Sequence, residues 1–173
     1  MVTKPRRGSA FTLIECLVCV TLLGILAAIA LPNFQGAHKK AANAQVKSNM
    51  HICQVAAESY ATDCLGYYSS NQKGIQAYYP GGSMAPLGFS GNFPANPFTG
   101  GIDAVTVGAK VTNVASARSQ AAGSLSGSRG NVEYDPIAQA GASILVSYAI
   151  IGFDDSGKSV AGKSDKQLVL SNQ

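Results

Sequence analysis

The sequence predicts an α+β fold: a long N-terminal helix packed on a small antiparallel β-sheet head. Three observations carry that expectation. Cys16 to Ala37 contains no charged residue. An apolar stripe at helical spacing follows, from Val46 to Cys64. Beyond Gly66 the chain turns to Gly, Ser, Pro and Tyr, then to short stretches of strand character. A helix that lays one face on a sheet is the α+β arrangement. The 173 residues suit one modest domain plus an appended segment. Residues 1–10 read as a basic leader, 11–65 as a helical spine with 11–31 as its membrane-spanning part, and 66–173 as a head of connecting loop and sheet.

The strongly apolar part of the spine runs from Phe11 to Leu31. As a helix it is about 32 Å long, enough for a hydrocarbon core of about 30 Å. Lys4, Arg6 and Arg7 precede it and predict a cytoplasmic N-terminus. These three account for most of the formal net charge of +4; from Phe11 onward the cations and anions nearly balance. The broad electrostatic footprint of a nucleic-acid-binding protein is therefore not predicted. A plain single-pass anchor fits this segment. So does a secretory signal peptide cut after Ala30, since Ala28-Ile29-Ala30 has the small-x-small pattern. The second alternative would release the head as a secreted monomeric binding domain.

Neither alternative accounts for Glu15. A carboxylate in a membrane segment costs about 2.5–3.5 kcal/mol or more and usually has a partner, yet the next twenty positions hold no Lys, Arg or His. Solvation at the interface is the plain alternative. The string Ala10-Phe11-Thr12-Leu13-Ile14-Glu15, continued by Leu17, Val18, Val20, Leu22 to Leu31, Pro32, Asn33 and Phe34, resembles the class III signal of type IV pilins and pseudopilins. Ala10 departs from the Gly usual before the cut.

The resemblance implies cleavage between Ala10 and Phe11 by a prepilin peptidase, slower than after Gly, and N-methylation of Phe11. It implies polymerisation through the helix, with Glu15 pairing to the Phe11 ammonium of a neighbouring subunit and so setting register. A buried charge is tolerable when paired and costly alone. Gly24 and Pro32 then mark a stretch of helix able to bend or unwind during assembly, through backbone freedom and a missing donor. The implied partners are further copies of the chain, the peptidase, an inner-membrane assembly machine and the membrane itself. The precursor would sit in the inner membrane. The product would be a type IV pilus or pilus-like filament serving adhesion, twitching motility or DNA uptake, or alternatively the periplasmic pseudopilus of a type II secretion system.

The helical pattern continues past Asn33. Val46, Met50, Cys53, Ala57, Tyr60 and Cys64 recur at spacings of 3 and 4, one face of an amphipathic helix. Lys47, Gln54, Glu58 and Thr62 fall off that face and are expected to be wet, and Leu65-Gly66 reads as the stop. Cys53 and Cys64, if both helical, lie about 16 Å apart along the axis, so a disulfide between them requires Cys64 to leave the helix and fold back. Cys16 and Cys19 match C-x-x-C but sit in the apolar run, where packing is the expected role. His38 and His51 share no ligand spacing and are expected to face solvent.

In the head, Tyr78-Tyr79-Pro80-Gly81-Gly82 and Asn92 to Gly101 are turn-rich. Ala104–Val111, Asn131–Tyr134, Ser143–Phe153 and Gln167–Leu170 are the expected strands, with Val114–Gly130 as a mobile surface loop. Asp154-Asp155-Ser156-Gly157 reads as a turn and as a weak calcium candidate, because its oxygens are hard ligands. The sequence offers no catalytic constellation and no cofactor motif, so a non-enzymatic chain without cofactor is expected.

Overall fold

A computed structural model describes residues 11–82, 90–102 and 104–173, with the side chain of Lys163 excepted. The leader, with Ala10 and the cleavage site it would form, lies outside the described residues. The chain divides after His38 into two compact units.

The spine is one helix, α1, Leu13–Asp63. In the first unit every residue from Phe11 to His38 is exposed, Leu13 to 83%. This stretch is long and apolar enough to cross a membrane.

The second unit, Lys39–Gln173, is the head together with the rest of α1. Ala42, Val46, Asn49, Met50, Cys53, Ala56, Ala57 and Ala61 are buried along α1, so the stripe runs as expected up to Ala57. Tyr60 and Cys64 are only half-buried and Ala61 takes the inner position. The helix stops in a Schellman motif: Leu65 adopts φ 58° and Gly66 donates its N–H to Ala61 O at 2.7 Å. Gly66 is left-handed as expected, at φ 87°, and Leu65 before it is left-handed as well and 90% exposed.

Two short helices, α2 (Gln72–Gln76) and α3 (Val114–Ser119), are each N-capped by an Asn, at 71 and 113. The sheet has four strands in the order β1 (Val105–Val107), β2 (Val132–Ala138), β3 (Leu145–Gly152) and β4 (Val169–Leu170). The α+β arrangement holds, with one correction. β2–β3 and β3–β4 are antiparallel, but β1 pairs with β2 in parallel, so the sheet is mixed. The physical reason is the crossover between them, which is long enough to return the chain to the same end of the sheet. That crossover is also not the bare loop expected. It contains α3 and is bridged to the C-terminal segment at Ala121–Lys166 and Ser126–Lys158.

Both faces of the sheet are covered. Val46, Met50, Cys53 and Ala57 of α1 share a core with Val132, Tyr134, Tyr148 and Ile150. Ala149, Ile151 and Phe153 point the other way, into a second core with Val111, Val114, Ala117 and Val169. That is why β3 reads as a nearly continuous apolar run instead of a clean alternation. Close approach of α1 depends on Gly152, where a Cβ would sit 2.6 Å from Val46 Cγ1 and 2.7 Å from Met50 Sδ.

Candidate functional site

The first turn of α1 carries the clearest local chemistry. Thr12 stands at the N-cap and Glu15 three residues on. Thr12 N–H donates to Glu15 Oε2 at 2.8 Å, Thr12 Oγ1–H donates to the same oxygen at 2.7 Å, and Glu15 N–H donates to Thr12 Oγ1 at 3.3 Å. This is a capping box, which satisfies backbone donors that a helix N-terminus otherwise leaves open. The Thr-x-x-Glu pattern was present in the sequence, and Thr12 is the residue that sequence reasoning passed over. A surface hollow of about 280 Å³ adjoins it, lined by Phe11, Ile14, Glu15, Val18 and Cys19. Phe11 and Glu15 are therefore brought to one place.

Gly24 and Pro32 lie within the unbroken helix, and a Cβ at Gly24 would meet nothing within 4 Å. Pro32 supplies no backbone donor. Asn33 Nδ2 makes a side-chain bond to Ile29 O at 3.3 Å in the adjacent turn. Cys16 and Cys19 are exposed along with the apolar residues around them.

The candidate residues of the head have local duties. Asp154 Oδ1 accepts the N–H of Ser156 at 2.7 Å and of Lys158 at 3.0 Å, which closes the turn. Asp155 is ion-paired to Lys39 Nζ at 2.9 Å and to Arg129. The hydrogen bond from Lys39, aided by the charge of Arg129, holds its carboxyl below the usual carboxylate range. These contacts give the calcium candidate another occupation: turn closure and ion pairing.

Cys53 and Cys64 are separate thiols in this structure. Cys64 N–H still bonds to Tyr60 O at 2.9 Å, so the chain does not fold back there. Burial pushes the Cys53 thiol up to about 12, which removes thiolate reactivity. His38 and His51 are both exposed.

Glu58 departs from expectation. It accepts from Tyr68 OH at 3.1 Å and from Tyr148 OH at 2.5 Å, tying α1 to the start of the head and to β3. Asn96, within the turn-rich stretch from Asn92 to Gly101, is a junction. Its Nδ2 donates to Arg129 O at 2.7 Å and Asn131 Oδ1 at 2.9 Å, while its Oδ1 accepts from Phe98 N–H at 2.9 Å.

An exposed apolar helix capped by a carboxylate, leading into a small α+β head, defines a class of protein that buries its leading helix in a membrane or among like helices. Comparison with known proteins narrows the class. Residues 5–31 match the family model of the prokaryotic N-terminal methylation motif. The chain is 30% identical to the type II secretion system core protein G of Escherichia coli K12 over 103 residues, 56% of this chain and 69% of the relative. It is 33% identical to core protein G of Aeromonas hydrophila over 83 residues, covering 48% of this chain and 57% of the relative. It is 37% identical to the type IV major pilin protein PilA of Myxococcus xanthus over 57 residues, covering 33% and 26%. No solved structure matches the chain significantly. The chain belongs to the family of type IV pilins and type II secretion pseudopilins.

Proposed function

We propose that this chain is a structural subunit of a type IV pilus or pilus-like filament, made as a single-pass inner-membrane precursor and polymerised through the first half of α1. The observation that carries the reading is an apolar helix exposed from Phe11 to His38, with one carboxylate, Glu15, near its start. Prepilin peptidase would cut between Ala10 and Phe11, and Phe11 would be N-methylated. Both capping contacts fall on Glu15 Oε2, which leaves Oε1 for the Phe11 ammonium of a neighbouring subunit. Gly24 and Pro32 would provide the compliant stretch that packs among neighbours. The partners are further copies, the peptidase and the membrane-embedded assembly machine, and no catalysis is assigned. Adhesion, twitching motility or DNA uptake are the roles a surface filament of this kind would serve.

A pseudopilin role has its own support, since the relatives matched over most of their length are type II secretion core proteins. Long surface filaments containing this chain favour the pilus, whereas loss of protein secretion on deletion of its gene favours the pseudopilus. The first test is the N-terminus and intact mass of protein from its native host. A chain starting at Phe11 and heavier by one methyl group is expected. A chain starting at Leu31 would remove the polymerising half of α1 and overturn the proposal.

A further inference from the structure

The second face of the sheet contains a charge arrangement that the filament reading does not use. On β2, Glu133 and Asp135 are two residues apart and so share the face opposite Val132 and Tyr134. Both are buried, Asp135 completely. They are covered by the Gly108–Val111 segment that follows β1. Gly108 N–H donates to Tyr134 O at 3.0 Å, and Val111 N–H donates to Asp135 Oδ2 at 2.7 Å. The two carboxyls converge beneath Gly108: a Cβ there would collide with Glu133 Oε1 and lie 2.7 Å from Asp135 Oδ1.

Among the described residues one cation serves this pair. Lys110 is ion-paired to Glu133 Oε2 and sits over the Phe153 ring, 4.8 Å from its centroid. Asp135 Oδ1 is buried without a hydrogen-bond partner. Two ionised carboxylates with one ammonium would leave a net negative charge in an apolar site, with an acceptor facing another acceptor. That costs far more than a neutral hydrogen-bonded pair.

We infer that Glu133 and Asp135 share one proton, and that this proton latches the Gly108–Val111 segment, with α3 behind it, onto the sheet. Protonated Asp135 donates from Oδ1 to Glu133 Oε1. Oδ2 keeps the Val111 N–H, and Glu133 Oε2 keeps Lys110. Every polar atom in the cluster then has a partner. Gly108 is required because any side chain would enter the space where the carboxyls meet.

The environment agrees. Burial pushes the Asp135 carboxyl up to about 6; the Val111 N–H opposes the rise and the Glu133 charge adds to it. Among the described residues, the charged groups facing Asp135 are Glu133 on its own strand and Lys110 from the segment above. Across β3 its partner is Ala149, and the neighbouring core residues Val111, Val114, Ala117, Ile151 and Val169 carry no charge.

The folded value lies above the ordinary 3.8, so the sign follows. The stabilisation is complete below the unfolded value and is lost as pH rises through about 6. The latch is closed in mild acid and weakened at neutral pH. It lies wholly within the head unit, and it holds whether the filament is a pilus or a pseudopilus.

The test is amide hydrogen exchange of the full chain in detergent micelles, read at Val111 and across α3 and corrected for intrinsic rates. In the wild type, protection is expected to fall about tenfold or more between about pH 5 and about pH 7.5. Asp135→Asn keeps an acceptor for Val111 and offers Glu133 a permanent donor. It should hold protection high at both pH values. PH-independent protection in the wild type, or a pH dependence retained by D135N, overturns the latch. Infrared spectroscopy reads the proton directly, without depending on that variant. A protonated-carboxyl band that disappears through about pH 6 and is missing from Glu133→Gln supports it. A band absent at every pH in the wild type refutes it.

Discussion

Glu15 has two candidate duties, capping α1 and pairing across subunits, and three substitutions separate them. Thr12→Ala removes the side-chain half of the capping box but leaves the carboxylate. Glu15→Gln keeps an acceptor for the Thr12 N–H and Oγ1–H while deleting the charge. Glu15→Ala removes both. Losing an N-cap costs about 0.5–2 kcal/mol of helix stability. Much of that cancels in assembly, because the same cap is present before and after a subunit joins. Deleting one partner of a buried ion pair costs about 3–5 kcal/mol, because the other charge is stranded. At about 1.4 kcal/mol per factor of ten, that raises the unassembled fraction more than a hundredfold.

The assay is the ratio of sheared filament to membrane-retained subunit in the native host, with processing at Phe11 confirmed for each variant. The expected order is wild type close to T12A, with E15Q and E15A both far lower. If the carboxylate only caps the helix, E15Q should assemble like wild type and E15A should lose no more assembly than T12A does. That second pattern would refute intersubunit pairing by Glu15.

Three further outcomes follow from the head. Gly152→Ala places a methyl against Val46 and Met50 and should destabilise the detergent-solubilised chain by about 1–3 kcal/mol in a denaturant titration. Tyr148→Phe strands part of Glu58 and should cost about 1.5–3 kcal/mol in the same titration, but nothing further in a Glu58→Ala background, where its partner is already gone. Asp155, held low by Lys39 and Arg129, stabilises the fold above its ordinary value, and that contribution is lost as pH falls through its depressed value. In an NMR titration, Lys39→Gln should move Asp155 back toward 3.8; an unchanged midpoint would show that Lys39 has no such hold.

The spine was legible because its signals are local and redundant. A long uncharged run, helical spacing from Val46 to Ala57 and a stop near Leu65-Gly66 each report the same helix. The capping box was legible too, since Thr-x-x-Glu is a sequence pattern. What could not be read depends on which chain segments meet. Parallel pairing of β1 with β2 is set by where the intervening crossover returns, and local alternation carries no mark of it. The Ala/Ser/Gly-rich composition of Val114–Gly130 concealed α3, whose Val114 and Ala117 gain their burial only from the sheet's second face. Glu58 looked like a wet position by helical phase, but two tyrosines distant in sequence reach it.

A carboxylate entering an apolar environment alone would be expelled or neutralised. Two donors from Thr12 on one oxygen reduce that cost while the subunit is still single, and the bonds are local enough to persist in any surroundings. The second oxygen then carries an unmet demand that a solvated surface meets with water and an apolar bundle cannot. An arriving ammonium would meet it, and only at the axial offset that brings a neighbour's first residue level with the first turn of α1. A shift of one helical turn, about 5.4 Å, would leave both charges unpaired. Capping and the proposed pairing are therefore compatible: the cap would make the carboxylate tolerable before assembly, and the second oxygen would make a misregistered assembly costly.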